Sequence, residues 1–252
     1  MTRIALITGA TAGLGAEFAR QLAAHGCALV LVARDRDRLQ AKAAELTAEF
    51  GVPAEALVAD LVTDGGLAAV QARLTDTDHP VDVLVNNAGF GLVTTFHESP
   101  IEDEQRHLDL LVGAPMRLSH AALQQMVRRR SGTIINVASV AGYTPRGSYG
   151  AAKAWVLSFS RWANIYYRGS GVTVTAVAPG FVHTEFHQRM NARTDNVPRS
   201  LWLTADRVVA DALRAAERGK AVTVPSFRYK VIVWLIGWLP KRLVAAGALR
   251  GR

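Results

Sequence analysis

The sequence predicts a single α/β domain with a doubly wound, Rossmann-like parallel sheet covered by helices on both faces. Three observations carry that expectation. Short β-branched or aliphatic runs alternate with longer amphipathic stretches from the first residues onward, the pattern that builds parallel sheets through helical crossovers. A glycine-rich turn stands directly between the first such run and the first helical stretch. The chain has 252 residues, 50% of them hydrophobic, enough to bury roughly three quarters of the unfolded surface around one core.

In chain order the strand segments are 3–8, 28–33, 56–59, 81–85, 133–138, 172–178 and 221–224. Each is β-branched or aliphatic, of strand length, and bounded by turn residues or polar positions. The helical segments are 13–25, 36–50, 64–75, 101–129, 148–168 and 204–217. In the first of these, Leu14, Phe18 and Leu22 recur every four residues as one apolar stripe, and Gly26 follows as a C-cap. Neither an internal repeat nor a Pro/Gly/Ser-rich linker interrupts 1–224, which reads as one catalytic domain, with 225–252 as a basic, apolar extension.

The formal net charge is +8, a value that for a whole domain points to nucleic acid or an anionic surface. Its position removes the first reading. Acidic and basic residues balance from 1 to 217, and the excess lies in Arg218, Lys220, Arg228, Lys230, Lys241, Arg242, Arg250 and Arg252. A basic tail on a neutral body is not a nucleic-acid-binding domain. The single cysteine, Cys27, opens an apolar run and reads as a buried, inert thiol, so no internal disulfide forms. The N-terminal apolar stretch is only of strand length and no run reaches the roughly 18 apolar residues of a spanning helix; the expected location is the cytoplasm.

The first strand runs into Thr8-Gly9-Ala10-Thr11-Ala12-Gly13-Leu14-Gly15. Glycines there permit a tight turn and let a pyrophosphate approach backbone N–H groups at the helix start. The spacing, Gly-x-x-x-Gly-x-Gly, departs from the common dinucleotide fingerprint, and an ordinary βα loop is the alternative; the strand–turn–helix context favours a dinucleotide. At the end of the second strand, where an acidic residue would take a free ribose 2′-OH, the sequence has Ala33 and Arg34. A guanidinium suits a 2′-phosphate, so NADP(H) is preferred over NAD(H). The competing reading is a solvated arginine in the charged stretch 34–38.

Tyr149 and Lys153 lie four residues apart at the start of a helical stretch, which puts phenol and ammonium on one face. A nearby cation favours phenolate, so the tyrosine pKa is expected to fall towards a range useful for proton transfer. Ser139 ends the fifth strand, where ligands sit in open parallel sheets.

Together these segments resemble the short-chain dehydrogenase/reductase family, from Arg3 to about Val224. The matching residues are Thr8 to Gly15, Asp60, Asn86-Asn87-Ala88-Gly89, Ser139, Tyr149, Lys153 and Pro179-Gly180-Phe181-Val182-His183-Thr184. The resemblance implies a carbonyl/alcohol oxidoreductase in which Tyr149 is the general acid or base and Ser139 holds the substrate oxygen. Lys153 would bind the nicotinamide ribose and lower the tyrosine pKa. Around the cofactor it implies Thr8, Gly9, Thr11, Gly13, Leu14 and Gly15 at the phosphates, Asp60 and Leu61 at the adenine, and Asn87, Ala88 and Gly89 along the adenosine half. Pro179, Gly180, Val182 and Thr184 would grip the nicotinamide. It further implies a homo-oligomer, a dimer or tetramer.

Two departures from the family pattern stand out. Asp109-Leu110-Leu111-Val112-Gly113 places Leu111 where the family usually has an asparagine supporting a water relay to the active-site lysine. Leucine cannot hydrogen-bond, so another group must rebuild the relay or it is weaker. Ser139 and Tyr149 are also ten positions apart, which implies a tight loop through Pro145, Arg146 and Gly147. The alternative to an active reductase is a cofactor-binding redox sensor or scaffold with weak or no turnover.

Secondary signals complete the reading. His183 and His187 share a helical spacing but no metal-ligand pattern, so no metal is expected. Phe186, Met190, Leu201 and Trp202 fall in a segment that forms a substrate lid in the family; they line an apolar pocket or pack in the core. Trp155 and Trp162, seven apart, read as core or subunit contacts, and Arg128-Arg129-Arg130 as a cluster that satisfies the long helix's own C-terminal carbonyls. In 229–242, Val231 to Leu239 is apolar apart from Gly237, Trp234 and Trp238 lie one helical turn apart, and basic residues flank both ends. That composition fits a membrane interface, and equally an arm that packs on a neighbouring subunit or closes the substrate site. Membrane contact would make a lipophilic carbonyl the natural substrate.

Overall fold

The computed structural model describes residues 2–92, 94–185, 197–240, 242, 244 and 245. Seven strands form one sheet: β1 Ile4–Thr8, β2 Ala28–Ala33, β3 Ala54–Val58, β4 Val83–Asn86, β5 Gly132–Val137, β6 Val172–Val177 and β7 Val222–Thr223. Their order is β3-β2-β1-β4-β5-β6-β7, and every pairing is parallel. The chain winds outward from β1 in one direction and then restarts at β4 in the other, so the crevice between the carboxyl ends of β1 and β4 is the switch point where ligands bind in open sheets. The predicted fold class is the observed one.

Helices α1 Gly13–Ala24, α2 Arg36–Phe50, α3 Asp64–Thr75, α5 Ala114–Arg129 and α6 Gly147–Tyr167 cover the sheet, together with α7 Ala205–Glu217. Two apolar clusters flank the strands. One packs Phe18, Leu39 and Leu46 with Val208 and Val209; the other packs Leu67, Val70 and Leu118 with Met126. Caps mark the ends: Asp35 accepts from the Arg38 N–H at the start of α2, Thr63 from the Gly66 N–H at the start of α3, and Gly51 closes α2 in the left-handed region. Cys27 is buried and burial pushes its thiol pKa up.

The predicted helix 101–129 is divided. A short α4, Ile101–Leu108, gives way to a π turn at Asp109–Gly113 before α5 begins. Pro115 in the first turn of α5 has no N–H for the preceding turn, and the Ala114 N–H bonds instead to the Asp109 carbonyl five residues back. Such π turns cluster at functional sites; this one buries Leu111. The arginine run behaves differently from the expectation. Arg129 reaches the neighbouring strand connection, at 3.0 Å from Asp82 and 2.8 Å from the Val81 carbonyl, and Arg130 bonds to the Gly169 carbonyl. Asp82 is the stronger attraction because it carries a full charge.

A polar seam crosses the sheet interior. Asn86 donates to Ser119 at 3.1 Å and to Asn136 at 2.8 Å, and Asn136 donates in turn to Ser160 at 2.9 Å. It ties β4 and β5 to α5 and α6 through the amide N–H groups, which offsets much of the cost of burying them, while Asn86 Oδ1 is buried with no hydrogen-bond partner among the described residues.

The tail forms α8, Phe227–Trp238, a helix the strand and helix assignment omits although it notes the tryptophan spacing. One face is anchored: Tyr229 is buried and Ile232 packs on the main core. Phe227, Val231, Trp234, Leu235 and Trp238 form the opposite stripe and are exposed. Among the described residues no helix is long and apolar enough to cross a membrane. The anchor is specific. A Cβ at Gly180 would lie 1.8 Å from the Tyr229 ring, and the Tyr229 hydroxyl accepts from the Phe181 N–H at 3.0 Å while donating to the Leu201 carbonyl at 2.8 Å. Tyr229 thus holds the loop after β6 to the segment before α7. Tyr229→Phe is expected to cost about 1–3 kcal/mol, read as a lower denaturant midpoint at unchanged slope; an unmoved midpoint would show that the two hydrogen bonds contribute nothing.

Candidate active site

Most of the predicted residues follow the carboxyl ends of β1, β4, β5 and β6, with Arg34 after β2 and Asp60 and Leu61 after β3. After β1, Gly9 and Gly13 adopt φ of +67° and +55°. At Gly15 a Cβ would lie 2.1 Å from the Gly9 carbonyl oxygen and 2.4 Å from Asn87 Nδ2. The turn is therefore folded tightly under the start of α1. Its N-cap, Ala12, supplies no side-chain bond, so the first N–H groups of α1 are uncapped by a side chain, as a phosphate-binding helix start requires. This cradle fits a dinucleotide pyrophosphate; Thr11 lies within the turn and Leu14 in the first turn of α1.

Thr8 and Asn87 prove to be braces of the turn. The Thr8 hydroxyl accepts from the Asn87 and Ala88 N–H groups at 2.9 and 3.0 Å and donates to the Val85 carbonyl, while Asn87 Nδ2 donates to the Thr8 and Gly9 carbonyls. The Thr8 hydroxyl and the Asn87 Nδ2 group are thus engaged inside the protein, which sequence alone does not reveal. Gly89 packs against Leu111. Asp60 accepts from the Val62 N–H and from Arg106, the latter at 3.0 Å, and Leu61 is buried beneath it. Arg34 is exposed just past the end of β2, followed by the α2 N-cap Asp35. On the far side Val182 pairs with Leu203, the Pro179 carbonyl accepts from the Val140 N–H, and Thr184 sits against Gly13. Trp202 stacks on His183 at 4.6 Å and packs against Phe181 at 5.6 Å. Phe186, His187 and Met190 lie outside the described residues. No metal-binding cluster occurs among the described residues.

Ser139, Tyr149 and Lys153 meet where β5 ends and α6 begins. Ser139 caps the 3₁₀ turn Val140–Tyr143 by accepting from the Ala141 N–H at 3.1 Å. Its hydroxyl also hydrogen-bonds the Tyr149 phenol. Lys153 is buried, donates to the Val137 carbonyl at 2.8 Å, and lies 5.7 Å from the Tyr149 ring centroid.

The electrostatics overturn one expectation. Burial pushes the Tyr149 phenol above its usual range, against the pull of the Ser139 hydroxyl and of the Arg146 charge. Lys153 does not offset this: desolvation disfavours its own charge and brings its pKa down to about 8. The phenol is therefore held protonated. Arg146, which the sequence offered only as a loop residue, is the cation that acts on it.

His107 is a second residue the motifs do not single out. It is 1% exposed, its ring stacks on Tyr149 with centroids 6.0 Å apart, and Phe90 meets it edge-on at 5.3 Å. The available signal was its place one helical turn before Leu111.

The Lys153 shift has a measurable consequence. Its folded-state pKa lies below the ordinary 10.5, so the buried charge costs stability below pH 8 and the cost fades as pH rises towards 10.5. After allowing for the lost bond to Val137, Lys153→Met in the cofactor-free protein is expected to gain about 1–3 kcal/mol at pH 7 by denaturant titration. The gain shrinks as pH approaches 10.5; a loss of stability at pH 7 contradicts the assignment.

Comparison with known proteins agrees with this geometry. The family model for short chain dehydrogenase matches residues 3–195. A 3-oxoacyl-[acyl-carrier-protein] reductase of Synechocystis is 34% identical over 207 residues, covering 75% of this chain and 78% of that protein. Among solved structures, a short-chain dehydrogenase from Sphingobium yanoikuyae in complex with NADPH superposes with a TM-score of 0.85 at 36% identity, covering 94% of each chain. The bulky-bulky ketone specific alcohol dehydrogenase from Comamonas testosteroni superposes with a TM-score of 0.80 at 32% identity, covering 95% of each. The sheet order, the glycine cradle and the serine–tyrosine–lysine cluster thus belong to an oxidoreductase of the short-chain dehydrogenase family.

Proposed function

We propose that the chain is an NADP(H)-dependent reductase of an apolar carbonyl compound, with Tyr149 as general acid and Ser139 and Lys153 as its partners. The observation that carries the reading is the cluster where β5 meets α6: the Tyr149 phenol hydrogen-bonded to Ser139, with the buried Lys153 5.7 Å from its ring centroid. When bound, the nicotinamide cofactor supplies the hydride; the protein supplies position and the proton. Ser139 and Tyr149 both hydrogen-bond the substrate oxygen, and the Tyr149 O–H bond breaks as the alcohol O–H forms. Tyr149 gives its proton to the oxygen in carbonyl reduction and takes one back in alcohol oxidation, the reverse of the same step. Thr11, Gly13, Leu14 and Gly15 receive the pyrophosphate on backbone N–H groups, and Arg34 meets the 2′-phosphate. Asp60, Leu61, Ala88 and Gly89 line the adenosine half, with Lys153 on the ribose and Pro179, Gly180, Val182 and Thr184 around the nicotinamide.

The NADP(H) preference is supported by Arg34 in place of an acidic residue and by the NADPH bound to the Sphingobium protein. An apolar substrate is supported by the aromatic wall of Phe181 and Trp202 and by the bulky ketones named for the Comamonas enzyme. A homo-oligomer is supported by the outer face of α6, where Ile165, Tyr166 and Trp162 are exposed. The outward stripe of α8, with Arg228 and Lys230 beside it, supports an external contact for 225–252, with a membrane surface or a neighbouring subunit, on a cytoplasmic enzyme.

NADPH oxidation measured over ketones of increasing chain length tests the reading. Turnover is expected to rise with chain length and to prefer NADPH over NADH, with Arg34→Ala removing that preference. Tyr149→Phe is expected to lower kcat by about 10²–10³-fold while cofactor fluorescence still reports binding. Binding without turnover on any ketone or aldehyde would instead identify a sensor or scaffold.

A further inference from the structure

Resting on the reading of 225–252 as the external contact of an apolar-carbonyl reductase, we propose that α8 seats the enzyme on an anionic lipid surface, beside which the substrate enters from the bilayer. At 100° per residue the helix has two apolar sides. Tyr229 is buried, and Ile232, Val233 and Ile236 on the same side are half-buried. Phe227, Val231, Trp234, Leu235 and Trp238 are exposed and fall within an arc of about 100° opposite Tyr229. The two tryptophans are 63% and 78% exposed, with ring centroids 6.2 Å apart. Arg228 and Lys230 stand at the two margins of this stripe, and Arg242 is exposed beyond its end.

A contiguous apolar stripe of this kind calls for a cover, and charge decides which cover fits. Residues 218–252 carry the whole +8 of the chain and no acidic residue. No ion pair joins Lys230 or Arg242 to a carboxylate among the described residues. A second copy is a poor partner: a two-fold contact brings the same patch of both chains together, which would desolvate Arg228 and Lys230 against their own equivalents. The body from 1 to 217 is neutral and offers no opposing field. An anionic bilayer meets both needs at once. Its headgroups take the cations at the margins, its acyl boundary takes the stripe, and indole rings settle at the level between them. Each lysine or arginine near such a surface adds about fivefold to the affinity.

Docking on this stripe brings the lipid close to the wall assigned above to an apolar substrate. Tyr229 bonds to the Phe181 N–H and to the Leu201 carbonyl, and Arg228 donates to the Ser200 carbonyl at 2.5 Å. Phe181 packs in turn against Trp202. A helix is about 10 Å across, so a surface covering the outer stripe lies about that far from the seam between Phe181 and Leu201. A long-chain ketone, concentrated in the lipid, is then released next to this wall.

The test uses the full chain with vesicles of equal parts phosphatidylglycerol and phosphatidylcholine, or of phosphatidylcholine alone. Cosedimentation is expected to show at least about tenfold tighter binding to the anionic vesicles, weakened by salt, with tryptophan emission shifted to the blue. Trp234→Ser with Trp238→Ser should lose at least about tenfold in affinity and the blue shift. Lys230→Gln with Arg242→Gln should lose about tenfold on anionic vesicles and nothing on neutral ones. With a short, water-soluble ketone and no vesicles, all three proteins should turn over alike. With a long-chain ketone carried in anionic vesicles, the native chain should exceed the tryptophan variant at least about threefold in kcat/KM, because docking raises the effective ketone concentration. Absence of native binding to anionic vesicles, or equal binding by the three proteins, overturns the proposal. So does a native dimer that the tryptophan variant loses without any vesicle binding, which would assign the stripe to a second copy. Equal kcat/KM on the vesicle-borne ketone overturns entry from the bilayer. Vesicle binding as expected, with no ketone turned over by any of the proteins, would sink the reductase reading and leave the docking surface standing.

Discussion

The rest of the site depends on how tightly the chain folds between β1 and α1. Gly15 sits so close to the Gly9 carbonyl that a single methyl group would not fit, and that crowding is held in place from the neighbouring strand by Thr8 and Asn87. Because the brace runs from β1 to the end of β4, it fixes the mouth of the crevice at the switch point of the sheet. The polar seam from Asn86 through Asn136 to Ser160 then carries the same rigidity to α6. Tyr149 and Lys153 stand on that helix, so their positions are referenced to the glycine cradle through hydrogen-bonded side chains inside the core.

Burial governs the chemistry of this arrangement more than any single neighbouring charge. A lysine brought out of water loses affinity for its proton, and a phenol in the same surroundings holds its own more firmly. The two effects pull apart a pair that would be much closer in water, which suits the phenol to the acid role proposed for it. Ser139 and Arg146 moderate the phenol without reversing it. On the opposite side of the crevice, Tyr229 of α8 pins the loop after β6 through both its ring and its hydroxyl. The C-terminal helix is thereby mechanically part of the wall formed by the loop after β6, whatever its exposed stripe contacts.

Most of the fold was legible because alternation of apolar runs with amphipathic stretches is a local signal. Strands 28–33 and helices 36–50 and 64–75 carry caps and turns that sit within a few residues of their ends. The π turn was hidden because its cause, Pro115, lies in the first turn of a helix, a position where proline is ordinarily harmless. The site motifs were legible as residue types at fixed spacings, but their electrostatics were not. Proximity of Lys153 to Tyr149 read as a depressed phenol pKa, whereas desolvation of the two groups, set by tertiary packing, pushes the phenol up and the ammonium down. The sequence did not mark His107 for the same reason: nothing local distinguishes a buried histidine stacked on the Tyr149 ring from a solvated one on an acidic helix.

The central claim is that this crevice transfers a hydride to a carbonyl carbon while Tyr149 protonates the oxygen. The most direct measurement is mass spectrometry of the alcohol formed from a long-chain ketone with NADPH deuterated at the transferring C4 position. The account predicts one deuterium on the carbinol carbon with the native chain and no labelled product above background with Tyr149→Phe. An unlabelled alcohol from the native chain, or equal labelling from both proteins, would contradict it.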